Sequence, residues 1–416
     1  MILDFNIVYS LLSKFERAGQ EETPSTPIRL VREMLEKLPP EIWSDPSKTF
    51  LDPACSTGTF LLEIVRKLNI GLASQIPDQT ERLKHILTKQ VWGLELSRVP
   101  FFMTKAAFEK LFIDTTGIVG EVNIYPANAL DGAKEIKDMK FDVVVGNPPY
   151  NPENNNDGGS GSGHKIWHKF IEKSFSSMSE GSYLCFITPP GWRIGDYNSK
   201  RKTKMAQEVM FESLEMLYWR ECKEDFGSSV GKSITMDLWI GYYPLSGEKV
   251  AQKIPQVLID RRLLPKTSDA NAIKKMEKWA SLQESTECYR ATIKPHVKKD
   301  TKDMANGYCH INTSAQRRGG DYKWYAEKTE GFDDRKVIIS DSGMPDPFYD
   351  KFGEFGTGKH SFGYLVTSDE EAQDIKDFYN SPLCEWLFAQ FTPAGSIAPP
   401  IQVVKNIPRS WREIEV

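Results

Sequence analysis

The chain has 416 residues, of which 53 are basic and 57 acidic, giving a formal net charge of −4. With 40% hydrophobic, 26% charged and 11% aromatic residues, it has a globular profile that excludes a disordered or collagen-like chain. No apolar run approaches the roughly 20 residues needed to cross a bilayer. Met1 to Gln20 reads as an amphipathic helix without a signal peptide's basic start and apolar core, so a cytoplasmic location is expected.

Six cysteines (Cys55, Cys185, Cys222, Cys288, Cys309 and Cys384) stand far apart, which argues against a disulfide scaffold or a Cys-based zinc site. The pair His164 and His168 has helical spacing, but two ligands do not make a metal site, and no metal is expected. At about 100–200 residues per domain, two domains are expected.

In chain order, strand-like and helix-like segments alternate, the pattern of a doubly wound parallel sheet. Thr49-Phe50-Leu51 predicts a strand, and helical periodicity runs from Gly58 to Leu68. Gln90–Leu94 is a strand, Arg98–Phe112 a helix and Val122–Tyr125 a third strand. Phe141–Val145 is a fourth, and its Val-Val-Val run suits a strand buried on both faces. Asn151 to Gly163 is nearly all Asn, Gly and Ser and reads as an exposed loop able to close over a ligand. A helix from Ile166 to Met178 follows, then strands at Tyr183–Thr188, Leu214–Arg220 and Thr235–Tyr243. Beyond about Pro244 the alternation fades, which places a boundary between residues 1–245 and 246–416.

Ligands of an open α/β sheet sit at the carboxyl ends of its strands. Four such ends carry distinctive residues. Asp52-Pro53-Ala54-Cys55-Ser56-Thr57-Gly58 combines a carboxylate with small residues that let backbone approach a ligand. Glu95, followed by Leu96, closes the second strand and suits a pair of ribose hydroxyls. Asn128-Ala129 ends the third strand, placed to meet an adenine edge. Asn147-Pro148-Pro149-Tyr150 ends the fourth. Its two prolines donate no hydrogen bonds, so the segment presents acceptors. The Asn147 side-chain oxygen and the Pro148 carbonyl could both accept from one planar NH2 group, while Tyr150 offers a face for a planar ring.

These residues carry a resemblance. Asp52 to Phe60 is similar to the cofactor motif I of S-adenosylmethionine-dependent amino-methyltransferases, and Asn147 to Tyr150 to their catalytic motif IV. Thr26-Pro27-Ile28-Arg29 resembles their motif X, with Thr23-Pro24 leaving the register open by three residues. The order X, I, IV resembles that of gamma-group DNA adenine-N6 methyltransferases of restriction-modification systems and phages. The resemblance covers about residues 20–245 and implies a Rossmann-like class I methyltransferase domain, an α/β fold with a mostly parallel doubly wound sheet. A C-terminal α+β target-recognition domain over 246–416 would complete it. It further implies S-adenosylmethionine lined by Thr26, Asp52, Pro53, Ala54, Cys55, Glu95, Leu96, Asn128, Ala129 and Asn147. Asn147, Pro148, Pro149 and Tyr150 would be catalytic, and Tyr150 with Phe226 would stack on a flipped adenine. Two departures stand out: Ser56 replaces the usual glycine, and Asn128 the usual aspartate.

Charge is uneven. From Ala251 to Lys336 there are 18 basic and 12 acidic residues, whereas Val337 to Val416 holds 6 basic and 12 acidic. Lys298, Lys299, Arg317 and Arg318 in the first stretch are candidate contacts to double-stranded DNA. The resemblance implies a monomer acting on DNA, with a cognate restriction endonuclease as a partner. Methylation of RNA or protein glutamine is the competing activity, and a DNA-binding specificity module on a degenerate methyltransferase fold the competing class.

Overall fold

The strand alternation builds one seven-stranded sheet, seen here in a computed structural model. The structure describes residues 26–151, 165–193, 204–230, 234–261, 263–282, 288–289, 299–300, 307–313, 321–325, 327–340, 346–358, 360–391, 401–404 and 407–414. Met1–Gln20, the loop beyond Asn151 to Gly163, His164, Lys298, Arg317 and Arg318 lie outside the described residues; of Lys299 only the backbone is described.

The chain divides into two compact units, Met1–Ile254 with Lys266–Ser268, and Pro255–Pro265 with Asp269–Val416. The first unit opens with helix α1 (Ile28–Glu36), strand β1 (Phe50–Asp52) and α2 (Thr59–Gly71). Helix α3 (Gln79–His85), absent from the sequence reading, is capped by Asp78, which accepts from the Glu81 N–H. Strand β2 (Val91–Leu94), α4 (Arg98–Thr116), β3 (Ile124–Tyr125) and β4 (Phe141–Gly146) follow. Then come α5 (Trp167–Ser176), β5 (Met178–Thr188), β6 (Glu215–Glu221) and β7 (Asp237–Tyr242).

The sheet order is β3-β2-β1-β4-β5-β7-β6. Neighbours from β3 to β5 pair in parallel, and β7 runs antiparallel to both β5 and β6. This is the Rossmann-like class I methyltransferase arrangement. The order reverses between β1 and β4, where Leu51 pairs with Val144, so a crevice opens beyond their carboxyl ends. Burial explains the strands: Val143, Val144 and Val145 are all fully buried, as a strand covered by helices on both faces requires.

Helix α1 buries Leu30, Val31, Met34 and Leu35 along one stripe. Its Arg32 Nη2 reaches the buried Glu63 Oε1 of α2 at 2.8 Å, and Arg66 Nε reaches Glu63 Oε2 at 2.8 Å. A charge buried at Glu63 is tolerable because two guanidinium groups face it. The pairing joins α1 to α2.

The second unit is α+β. It holds two four-stranded sheets, with helices Ala270–Ser281, Asp369–Tyr379 and Pro382–Phe391. One sheet contains Lys336–Ser340, where the fully buried Lys336 ammonium meets Asp350 Oδ2 at 2.7 Å. Among the described residues no helix is long and apolar enough to cross a membrane, and no group of three or more His, Cys, Asp or Glu could hold a metal.

Candidate active site

The carboxyl ends of β1 and β4 bring Asp52 and Asn147 to the two sides of the crevice. Asp52 is 1% exposed and accepts one backbone hydrogen bond, from the Ala54 N–H at 3.1 Å. Burial, aided by repulsion from Glu95 and opposed by that hydrogen bond, pushes its carboxyl up to about 8. A buried carboxyl with one donor has acceptor capacity left for a cation. Gly146 makes room for it: a Cβ there would stand 2.8 Å from Asp52 Oδ1. The sequence reading missed Gly146. Its signal was a glycine between the Val-Val-Val run and Asn147.

The loop between β1 and α2 is shaped by Glu95. Its Oε2 accepts from the Ser56 N–H and its Oε1 from the Ser97 N–H, both at 2.7 Å. Ser56 has φ +44°, in the left-handed region where a side chain is strained. That is the position where Ser replaces the usual glycine. The strain is offset by the bond to Glu95 and by Thr104, whose hydroxyl donates to the Ser56 carbonyl at 2.6 Å. Cys55 is buried, and burial pushes its thiol well above the ordinary range, so it serves as packing and no thiolate nucleophile is available. Leu96, by contrast, is 52% exposed at the rim.

After β3, the Asn128 Oδ1 accepts from the Leu130 N–H at 3.0 Å, and its amide donates to Asp131 Oδ2 at 2.9 Å. The side chain therefore caps a turn, and the adjoining Ala129 is left to line a cavity. That cavity, of about 390 Å³, is also lined by Pro53, Phe170 and Ser174. Phe170 and Ser174 lie on α5 and carried no local sequence signal.

Asn147 is held from two directions. Its Nδ2 donates to Thr26 Oγ1 at 3.2 Å, and its Oδ1 accepts from the Tyr150 hydroxyl at 3.2 Å. Together the two hydroxyls hold the amide group in place at the strand end. Of the two threonines that left the register open, Thr26 lies beside Asn147, and Thr23 lies outside the described residues. Because an amide oxygen has two lone pairs, Oδ1 keeps one acceptor position after Tyr150 has used the other. Burial pushes the Tyr150 phenol well up, so it stays protonated and donating.

Phe226 is 5% exposed and belongs to the apolar cluster on which the half-buried Tyr150 packs. Both aromatic candidates thus pack on the same extended apolar core, which runs from α1 to β7. The segment after β5 contains Gly191-Trp192 and the buried Arg193, whose Nε meets Asp237 Oδ2 at 2.5 Å.

The fold is that of a class I methyltransferase, and the chain is similar to adenine-specific methylases of the restriction-modification kind. Residues 66–217 match the Eco57I restriction-modification methylase family, a stretch from α2 to β6 that includes Asn147 to Tyr150. Among curated relatives, an uncharacterized adenine-specific methylase of Mycoplasma pneumoniae is 27% identical over 288 residues, covering 51% of this chain and 67% of the relative. The type II restriction enzyme and methyltransferase RM.BcgI of Heyndrickxia coagulans is 24% identical over 220 residues, covering 51% of this chain but 31% of that enzyme. Among solved structures, the ATP-dependent type ISP restriction-modification enzyme LlaBIII bound to DNA superposes with a TM-score of 0.53 at 11% identity. That superposition covers 95% of this chain and 40% of LlaBIII, and it shows likeness of fold.

Proposed function

We propose that the protein transfers a methyl group from S-adenosylmethionine to the N6 amine of an adenine flipped out of double-stranded DNA, at a specific sequence. The observation that carries this reading is Asn147, whose amide is oriented by Thr26 and Tyr150 beside the crevice that Asp52 closes from the other side. The residues present fit the cofactor. Asp52 offers a buried carboxylate to an ammonium, in space that only a glycine at position 146 leaves open. Pro53, Ala129 and Phe170 form the apolar part of a mixed cavity whose other walls include Lys137, Lys173 and Ser174, and a flat ring could rest on that part. Glu95 would contribute to the ribose side and, as a buried brace, hold the loop that cradles the cofactor.

When bound, the cofactor supplies an electrophilic methyl on a sulfonium. The chain's own residues prepare the amine. Asn147 Oδ1 and the Pro148 carbonyl accept its two N–H groups, which localises the nitrogen lone pair and turns it toward the crevice. Pro149 stiffens the segment so that these acceptors keep their geometry. Tyr150 supplies the stacking face, with Phe226 beside it. Orientation provides most of the acceleration, and no covalent intermediate is needed. An adenine in a duplex cannot reach acceptors set this deep, so it must be extruded.

The second unit, assigned at the sequence level to 246–416, would recognise the target sequence, with Lys298, Lys299, Arg317 and Arg318 among its DNA contacts. A cognate endonuclease partner and a monomer on DNA belong to the same reading. It draws support from RM.BcgI, whose name joins restriction enzyme and methyltransferase.

Transfer of a labelled methyl group from S-adenosylmethionine to unmodified plasmid DNA, total RNA or protein extract tests the substrate. Label in DNA adenine supports the proposal. Label confined to RNA or protein would replace it with the competing activity, and no label in any of them would point to the specificity module.

A further inference from the structure

Phe226 follows directly after Asp225, a residue whose acceptors are all tied to arginines. Arg29 Nη2, from α1, lies 3.1 Å from Asp225 Oδ1 and 3.1 Å from the Asp225 carbonyl oxygen. Arg220 Nη1, from β6, donates to Asp225 Oδ2 at 2.7 Å. The same guanidinium reaches back to α1 in a fork, Nε to Glu33 Oε1 at 2.7 Å and Nη2 to Glu33 Oε2 at 2.5 Å. Tyr218 adds a hydroxyl to Glu33 Oε1 at 3.1 Å. On the far side of Phe226 stands Gly227, with φ +59° and ψ −134°, backbone that glycine adopts readily and other residues do not. Among the described residues no atom lies within 4 Å of where its Cβ would be, so conformation and not crowding calls for glycine. Ser229 closes the turn by donating to the Phe226 carbonyl at 2.5 Å.

Two facts make this more than a surface network. Helix α1, which supplies Arg29 and Glu33, begins two residues after Thr26, whose hydroxyl orients Asn147. The residue it clamps is the immediate neighbour of the aromatic ring that shares a cluster with Tyr150. A bidentate arginine fork carries direction as well as charge, so it constrains where the attached segment sits.

We propose that Glu33, Arg220, Asp225 and Arg29 form a positioning network that sets the Phe226 segment against Tyr150 and couples it to the helix that orients Asn147. The inference rests on reading the site as an adenine methyltransferase. In that reading the network governs capture of the extruded base, and the cofactor contacts of Asp52, Glu95 and Ala129 at the ends of β1 to β3 lie outside it. None of its members is a catalytic residue, since each acts through Phe226 or Thr26.

The test uses Asp225→Asn, which keeps the shape and removes the charge, and Arg220→Lys, which keeps the charge and removes the fork. Three quantities are measured on the full chain: S-adenosylmethionine affinity, kcat and KM on unmodified DNA, and fluorescence of a duplex carrying 2-aminopurine at the position the wild type methylates. Unchanged cofactor affinity is expected, with kcat/KM for DNA lowered by up to about 10²-fold, the scale of a misplaced reacting group. The 2-aminopurine signal that reports extrusion should fall with it. If both variants lose thermal stability yet keep wild-type kcat, KM and 2-aminopurine signal, the network is only a fold staple and the inference fails. If Asp225→Asn does not fold, Arg220→Lys decides alone. A wild type that methylates no DNA overturns the proposed function and this inference with it, whereas an active wild type with unaltered variants overturns the inference alone.

Discussion

Replacing Glu95 with alanine separates two duties that one carboxylate could perform. Each of its oxygens accepts a backbone N–H at 2.7 Å, from Ser56 and Ser97, and the side chain is 8% exposed. A hydrogen bond to a charged group contributes about 1.5–3 kcal/mol, so two give an upper bound of about 3–6 kcal/mol. Water can reach Ser97 near the rim, so a net cost of about 2–4 kcal/mol is expected. Ser56 sharpens this, because its strained backbone loses its main restraint when Glu95 goes. Urea unfolding followed by tryptophan fluorescence, with no cofactor added, reads the stability term. Calorimetric titration with S-adenosylmethionine reads the binding term, expected to weaken by about 1.5–3 kcal/mol. Glu95→Gln keeps one acceptor and should fall between wild type and Glu95→Ala in both. Full stability in Glu95→Ala with weakened binding would refute the bracing argument and make Glu95 solely a ligand contact. Unchanged binding would move the ribose contact elsewhere.

Two further outcomes follow from the same site, and a third from the charge pattern of the sequence. Asp52 is raised from 3.8 to about 8, so the folded protein without cofactor holds a proton that the unfolded chain releases between those values. Stability from this group is therefore present at low pH and declines as pH rises toward 8, by about 1.4 kcal/mol per unit at most. Asp52→Asn should flatten that part of a stability-versus-pH profile, and parallel profiles would refute the burial argument. Ser56→Gly should stabilise the protein by about 0.5–1 kcal/mol, the left-handed penalty less the extra chain entropy of glycine; a loss of stability in urea unfolding would contradict it. Replacing Arg317 and Arg318 with alanine should weaken DNA binding and flatten its salt dependence, because fewer counterions are released. Identical slopes and affinities at several salt concentrations would remove these residues from the interface.

The sheet was legible because its signals are local. The buried valines of β4, the small residues after β1 and the Asn-Pro-Pro-Tyr turn each announce themselves within a few residues, and the alternation points to a doubly wound, mostly parallel sheet. What the sequence hid depends on contacts across long separations. Arg220 and Glu33 are 187 residues apart, and neither has a neighbour that hints at the other. Gly146 reads as an ordinary glycine until β1 brings Asp52 beside it. Phe170 and Ser174 sit on a helix whose periodicity predicts burial without saying that a cavity lies beneath. The unit boundary shows the same limit. The pattern change at residue 246 marks where alternation stops, but the first unit continues to Ile254 and takes back Lys266–Ser268, because Thr267 bridges to Arg220 at the sheet edge.

The central claim is tested most directly by sequencing that detects modified bases in genomic DNA from a bacterial host expressing either the wild type or Asn147→Ala. N6-methyladenine at one recurring sequence with the wild type, and none with the variant, is the predicted result. DNA free of N6-methyladenine in both strains, or methylated alike in both, would contradict it.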